Sequence, residues 1–207
     1  DGDTGPNTGG MGAYSPAPVL TDEVAERAMA EIIRPTLAEM ARRGVPFQGV
    51  LFAGLMIKDG APRLVEYNVR FGDPETQPIM QRLRSDLVAL CNAAIDGDLA
   101  AQQTEWDPRP ALGVVVAAGG YPGSYAKGTP ITALPKDDDT LKVFHAGTAE
   151  KQGQIVTNGG RVLCAVALGN TVAEAQKHAY QLVDQIHWNG MYFRRDIGYR
   201  AITRENA

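Results

Sequence analysis

Several things are scarce in this chain, and each scarcity excludes something. Only two cysteines, Cys91 and Cys164, occur in 207 residues, too few for the disulfide framework of a small secreted domain. Both stand in apolar patterns, Cys91 on a helix and Cys164 in a strand, and read as reduced core residues of a cytoplasmic protein. The three histidines, His145, His178 and His187, show no metal-ligand spacing. No apolar run approaches the roughly 20 residues that span a bilayer, and no signal-peptide pattern is seen, so no membrane is expected as a partner. Neither sign of charge dominates: 20 Lys and Arg against 24 Asp and Glu give −4, which speaks against nucleic acid as a partner. Repeats and low-complexity tracts are lacking. An initiating Met is lacking too: the chain opens at Asp1, inside a glycine-rich loop, and reads as the C-terminal portion of a longer protein. What is there is ordinary globular composition, 44% hydrophobic and 21% charged, enough for one large domain or two small ones.

Period and punctuation divide the chain. Thr21 to Arg43 reads as a helix with Thr21 as N-cap and Asp22 and Glu23 at its positive end. Val24, Ala28, Ile32, Ile33, Leu37 and Met40 form its apolar stripe, Pro35 should kink or split it, and Gly44 ends it. Gly49 to Ile57 is an apolar strand, turned by Lys58-Asp59-Gly60-Ala61 into a hairpin. Gln77 to Ile95 reads as a second helix, with Arg82 and Arg84 solvated or paired to Asp86. Leu99 to Pro110, polar and with two prolines, reads as a linker. Beyond it come a buried strand, Ala111 to Ala118, and strands at Lys142–His145, Gln154–Thr157 and Arg161–Leu168. Thr171 and Glu174 form a capping box for a helix running to about Ile186, with His178 on its wet side. These short strands and helices imply a small α+β subdomain. The domain boundary is placed between residues 1–105 and 106–207.

Two stretches carry chemistry. In Arg63 to Gln77, R-L-V-E-Y-N-V-R-F-G-D-P-E-T-Q, Leu64 to Phe71 reads as a strand. Residues two apart share a face, so Glu66, Asn68 and Arg70 stand in one row. Glu66 and the Asn68 carbonyl are oxygen donors of the kind Mg²⁺ accepts beside substrate phosphates, and Arg70 offers a planar fork for a carboxylate or phosphate. A solvated face of a half-exposed antiparallel strand would read the same way. The other stretch is Asp1 to Tyr14, D-G-D-T-G-P-N-T-G-G-M-G-A-Y, with five glycines. So many glycines argue against a regular element there. They allow positive φ and close approach of backbone to a ligand, and successive N–H groups can cradle an anion. A loose chain end is the competing reading.

E-Y-N-V-R-F-G-D-P-E-T-Q resembles the last strand and following loop of the ATP-grasp ligases. Within them, R-F-G-D-P-E-x-Q and the loop D-G-D-T-G-P-N-T-G-G-M-G-A-Y-S-P resemble the glycinamide ribonucleotide synthetases. G-G-Y-P-G, F-H-A-G-T, N-G-G-R-V-L and H-W extend the resemblance over essentially the whole chain. It implies an α+β fold: the C-terminal half of an ATP-grasp domain, with an antiparallel sheet and helices, followed by a small α+β subdomain. It implies that Glu66 and Asn68 hold Mg²⁺ or Mn²⁺ on ATP and that Arg70 faces the acyl-phosphate end. Asn7, Thr8, Gly9, Gly10 and Gly12 are the candidates for substrate contact, with Asp73, Pro74 and Glu75. The implied partners are ATP, glycine, 5-phosphoribosylamine and the missing N-terminal part of the same protein, including the lid whose lysines reach the phosphates. Two rivals are another ATP-grasp carboxylate–amine ligase or carboxylase, and a non-catalytic nucleotide-binding or assembly module.

Overall fold

The strand expected at Ala111–Ala118 is the centre of the larger of two compact units. The computed structural model describes residues 1–206. It groups Asp1–Pro16, Asp73–Arg82 and the chain from Asp107 onward in one unit, and Ala17–Gly72 with Leu83–Trp106 in the other.

In the first unit the strands are β1 (Gly12–Ser15), β4 (Ala111–Ala118), β5 (Leu141–His145), β8 (Arg161–Leu168) and β9 (Met191–Tyr192). They form one antiparallel sheet of order β1-β4-β8-β5, with β9 on the far end of β4. Every residue of β4 is buried, and seven of the eight in β8 are. Antiparallel strands normally alternate in polarity, because one face is wet. Here both faces are covered. Helix α3 (Thr76–Arg82) packs on one, where Pro78 approaches Gly113 beside Cys164. Helix α5 (Val172–Val183) packs on the other through Val172, Ala175, Ala179, Leu182 and Val183. Each fully buried Leu, Ile or Val contributes about 1.5–3 kcal/mol, so this core holds most of the unit's stability. Helix α6 (Tyr199–Glu205) closes it, and β6 (Thr148–Lys151) with β7 (Gln154–Thr157) forms a separate hairpin.

Strand β1 corrects the reading of the glycine-rich stretch as wholly irregular: Gly12–Ser15 pairs with Ala111–Val114. The capping box is also changed. Thr171 Oγ1 accepts from the Glu174 N–H (3.1 Å), but the Glu174 carboxylate takes the N–H of Asn170 (2.6 Å), one residue earlier. Helix α5 stops at Val183, before Ile186. His178 is half-buried rather than solvated, its Nδ1 3.1 Å from the Leu168 carbonyl.

In the second unit, β2 (Phe52–Lys58) and β3 (Ala61–Asn68) form the expected hairpin. Asp59 and Gly60 turn it at φ 52° and 71°, the two positive values a tight two-residue turn needs. The first helix keeps its Thr21 cap, which accepts from Val24 N–H at 3.3 Å. It runs as α1 (Asp22–Ala28), a π-helical stretch Met29–Ile33, and α2 (Arg34–Arg42). The wider π turn lies immediately before Pro35, whose ring would otherwise meet the carbonyl of the preceding turn. Tyr67 of β3 ties to this helix through Thr36 Oγ1 (2.8 Å) and the Ile32 carbonyl (3.2 Å).

The helix expected over Gln77–Ile95 is two helices, α3 and α4 (Leu87–Asp96). Asp86 caps α4, accepting from Val88 N–H (2.7 Å) and Ala89 N–H (3.2 Å). Arg82 donates to the Asp107 and Arg109 carbonyls (3.2 and 3.1 Å) and to Ser15 Oγ (2.8 Å). Cys91, expected in a core, is exposed; Cys164 is buried, and burial pushes its thiol pKa up.

Candidate active site

The candidate residues fall into two sets, one in each unit. In the first unit the chain is anchored at its first three residues. Gly2 N–H donates to Asp196 Oδ2 (2.8 Å) and Arg195 N–H to Asp1 Oδ1 (2.7 Å). Asp3 accepts from Arg194 (2.8 Å), from the Tyr199 hydroxyl (2.9 Å) and from Arg200. Hydrogen bonds from Arg194 and Tyr199 hold its carboxyl below the usual range. The stretch is thus no loose end.

Farther along, Thr8 Oγ1 donates to the Gly9 carbonyl (2.6 Å), and Gly9 N–H donates to the Tyr121 hydroxyl (3.2 Å). Among the described residues the N–H groups of Thr8 and Gly10 have no acceptor. Asn7, Thr8 and Gly10 line a cavity with Asp3, Tyr121 and Arg194. Gly12 is in β1, and packing accounts for it: a Cβ there would lie 2.6 Å from Ile197 Cγ2 and 2.7 Å from the Gly113 carbonyl.

The turn Asp73–Pro74–Glu75 belongs to the same unit. The side chain that joins it to the loop is Arg161, which sequence reasoning left as the first residue of a strand. Its guanidinium donates to the Gly10 carbonyl (3.0 Å), the Asp73 carbonyl (2.8 Å) and Asp73 Oδ2 (2.9 Å). Pro74 is buried, its ring against Gly10, and Glu75 begins the first turn of α3, its carbonyl accepting from Ile79 N–H. Gln77 donates to Asp73 Oδ1 (3.3 Å), while its own Oε1 is buried with no donor. A water or a ligand N–H would satisfy that acceptor.

In the second unit, Glu66 and Asn68 lie on β3 and Arg70 follows it, since the strand ends at Asn68 rather than Phe71. The row still holds: Asn68 Nδ2 donates to Glu66 Oε1 (3.0 Å), and Arg70 Nη2 donates to Asn68 Oδ1 (3.3 Å). Arg70 Nη1 turns back to the Phe71 carbonyl (2.8 Å). Val65 and Val69, between these residues, are 67% and 73% exposed. Glu66 is exposed and faces Gly54 across the hairpin, where no side chain crowds it. By chemistry the donor set, one carboxylate and one amide oxygen, fits a hard divalent cation; Glu66 is exposed, and the Asn68 oxygen, here accepting from Arg70, would turn to the ion. Among the described residues no group of three or more His, Cys, Asp or Glu could hold a metal, so further ligands would be phosphate and water oxygens, as Mg²⁺ prefers.

Comparison with known proteins gives this arrangement a class. The biotin carboxylase domain of Hydrogenobacter thermophilus 2-oxoglutarate carboxylase, solved with MgADP and bicarbonate, superposes at TM-score 0.62 and 13% identity over 89% of this chain and 40% of its own. The fold is that of the ATP-grasp enzymes, α+β with antiparallel sheets. Residues 1–76 match the phosphoribosylglycinamide synthetase ATP-grasp (A) domain, and residues 111–200 the C domain of the same synthetase. Phosphoribosylamine–glycine ligases of Vibrio cholerae and Pseudomonas aeruginosa are 66% and 60% identical to the chain over its whole length and 49% of theirs. The crystal structure of the Thermotoga maritima ligase matches at TM-score 0.83 and 40% identity, over 95% of this chain and 48% of its own. The chain belongs to the phosphoribosylglycinamide synthetase family. It spans about half the length of the curated relatives it matches.

Proposed function

We propose that this chain is part of an enzyme that joins glycine to 5-phosphoribosylamine at the expense of ATP, giving N-glycinamide ribonucleotide, ADP and phosphate. The observation that carries the reading is the glycine-rich loop fixed to the Asp73–Pro74–Glu75 turn through Arg161, in a chain 66% identical to a phosphoribosylamine–glycine ligase. A carboxylate oxygen of glycine attacks the γ-phosphorus, the bond to the β-phosphate oxygen breaks, and ADP leaves. The amine nitrogen of phosphoribosylamine then attacks the acyl carbon of glycyl phosphate, and phosphate leaves as the nitrogen loses a proton. Glu66 and Asn68 would hold Mg²⁺ or Mn²⁺, which when bound offsets charge on the β- and γ-phosphates. Arg70 stabilises the transferring phosphoryl oxygens, and the N–H groups of Thr8 and Gly10 bind the acyl-phosphate or carboxylate oxygens. Asn7, Asp73, Pro74 and Glu75 shape the glycine side of the site. No covalent enzyme intermediate is needed; catalysis is positioning and electrostatics.

The remaining half of the relatives' length supplies the groups that hold phosphoribosylamine and cover ATP, and the enzyme works in the cytoplasm. We place the boundary between the ATP-grasp portion and the C-terminal subdomain near residue 105, in the interval between the matched segments 1–76 and 111–200. The chain alone, given ATP, Mg²⁺, glycine and fresh phosphoribosylamine, therefore makes no product. Completed with the other half of the Vibrio cholerae relative, it does. Turnover by the chain alone at the completed enzyme's rate would refute the division of labour. ADP release with bicarbonate but not with glycine would move the assignment to a carboxylase.

A further inference from the structure

Three stretches play no part in the chemistry above: Gly119–Gly123 (G-G-Y-P-G), Phe144–Thr148 (F-H-A-G-T) and Asn158–Leu163 (N-G-G-R-V-L). The fold brings them together around one side chain. Gly147 N–H donates to the Arg161 carbonyl (2.9 Å), and Asn158 N–H to the Gly147 carbonyl (2.7 Å). The backbones of Gly147 and Gly159 touch, so that a Cβ on Gly147 would lie 2.7 Å from Gly159 Cα. Ala118 N–H donates to the Gly160 carbonyl (2.8 Å), and a Cβ on Gly160 would meet the Tyr121 ring at 2.3 Å. The three stretches thus lock the backbone of Arg161 and the ring of Tyr121, and these two side chains reach the glycine-rich loop.

We infer that Arg161 is a positioning residue for the ligation, an inference that rests on the function proposed above. Its guanidinium spans two carbonyls and one carboxylate at once, binding Gly10 to both the backbone and the side chain of Asp73. A lysine ammonium is a point charge on a flexible stem and lacks the rigid fork that this arrangement uses. The loop is shaped to the guanidinium in turn. A Cβ on Gly9 would sit 2.8 Å from Arg161 Cζ, and one on Gly10 would sit 2.5 Å from Pro74 Cδ. With Gly9 N–H on Tyr121 and the Gly10 carbonyl on Arg161, the peptide units between Thr8 and Gly10 are fixed at both ends. The N–H of Gly10, for which no acceptor is found among the described residues, lies on the peptide unit between those two bonds and is aimed by that fixation. Arg161 touches no reacting atom in this role; it sets where that donor points.

The test uses the completed enzyme with Arg161→Lys, Arg161→Gln and, from the loop side, Gly9→Ala, which leaves the strand untouched. Exchange of the residue-9 amide, the loop N–H held by Tyr121, should rise at least about tenfold in each variant, the scale of one lost charge-assisted hydrogen bond, while β4 and β8 keep their protection. The kcat should fall about a hundredfold with a raised KM for glycine, as a displacement of about 1 Å would cause, and the KM for ATP should stay within about twofold. Arg161→Lys, which keeps the charge, should recover little. Unchanged loop exchange in Arg161→Gln would overturn the inference. So would loss of β4 and β8 protection together with equal losses toward ATP, which would make Arg161 a general structural contact. If the unmodified enzyme makes no product from glycine and phosphoribosylamine, the functional reading fails and takes the inference with it; normal turnover in the variants sinks the inference alone.

Discussion

Replacing Glu66 by Gln separates a metal ligand from a wet strand residue. In the structure Glu66 is exposed and accepts one hydrogen bond, from Asn68 Nδ2 at 3.0 Å. The Gln amide oxygen can accept the same bond, and the substitution leaves no cavity. The expected change in stability is therefore within about 0.5 kcal/mol, the range of an ordinary surface substitution. The expected change in rate is large. A unit charge lost about 4 Å from a divalent cation at an effective dielectric near 20 forfeits interaction of order 8 kcal/mol before reorganisation. Measured losses of single electrostatic contacts to a transition state run about 10²–10³ in rate. Glu66→Gln in the completed enzyme should keep its Tm and lose at least about a hundredfold in kcat on that scale, with part of the loss recovered at high Mg²⁺ or with Mn²⁺. Asn68→Ala should act in the same direction. The double variant should be less than additive, because both side chains would serve one ion. Tm, kcat and its Mg²⁺ dependence for the three variants decide the matter, and wild-type kcat in Glu66→Gln would refute the metal assignment.

Two further expectations concern the first unit. The Asp196 carboxyl is held below the usual range, chiefly by its hydrogen bond from Arg194. A depressed folded pKa gives stability that is full above the unfolded value near 3.9 and lost as pH falls toward the folded one. The gap in urea midpoint between wild type and Asp196→Asn should therefore narrow from pH 5 to pH 2, and a gap independent of pH would contradict this. Gly198 opens α6 at φ 87°, and a Cβ there would lie 2.5 Å from Leu112 Cδ1. Gly198→Ala should cost about 1–3 kcal/mol from backbone strain and overpacking, read by denaturant unfolding; a loss below about 0.5 kcal/mol, the surface range, would contradict the fit.

Most of the regular elements were legible because local signals and tertiary packing agree. Ala111–Ala118 is a strand by composition and by burial, and Asp59-Gly60 turns a hairpin in both. The misses have physical causes. The apolar run from Ile79 to Cys91 hid the break at Leu83–Asp86, although Ser85-Asp86 before Leu87 is an N-cap signal. Cys91 and Val65 show that an apolar residue in a regular element need not be buried. Strand β1 was hidden because glycine outweighs strand propensity in any local reading, whereas pairing with the central β4 decides it. Arg161 carried no local signal: the atoms it binds are 151 and 88 residues away in sequence, and only the fold brings them within reach.

In the glycine-rich loop, composition allowed both positive φ and close approach to a ligand. Gly2 takes the positive φ (68°), while Gly9, Gly10 and Gly12 lie outside that region and meet neighbours of their own chain. What each lacks is room. The Cβ positions fall on the Arg161 guanidinium, on the Pro74 ring, and on Ile197 with the Gly113 carbonyl. Gly5, by contrast, has open space about its Cβ position. So three glycines of one loop serve close approach by four neighbours within the same unit, each from a different segment of the chain. A loop shaped in this way does not have to be ordered by its ligand. It pays much of the ordering entropy on folding, and in the function proposed above its N–H donors would meet the anion already placed, the condition under which such donors stabilise a transition state most.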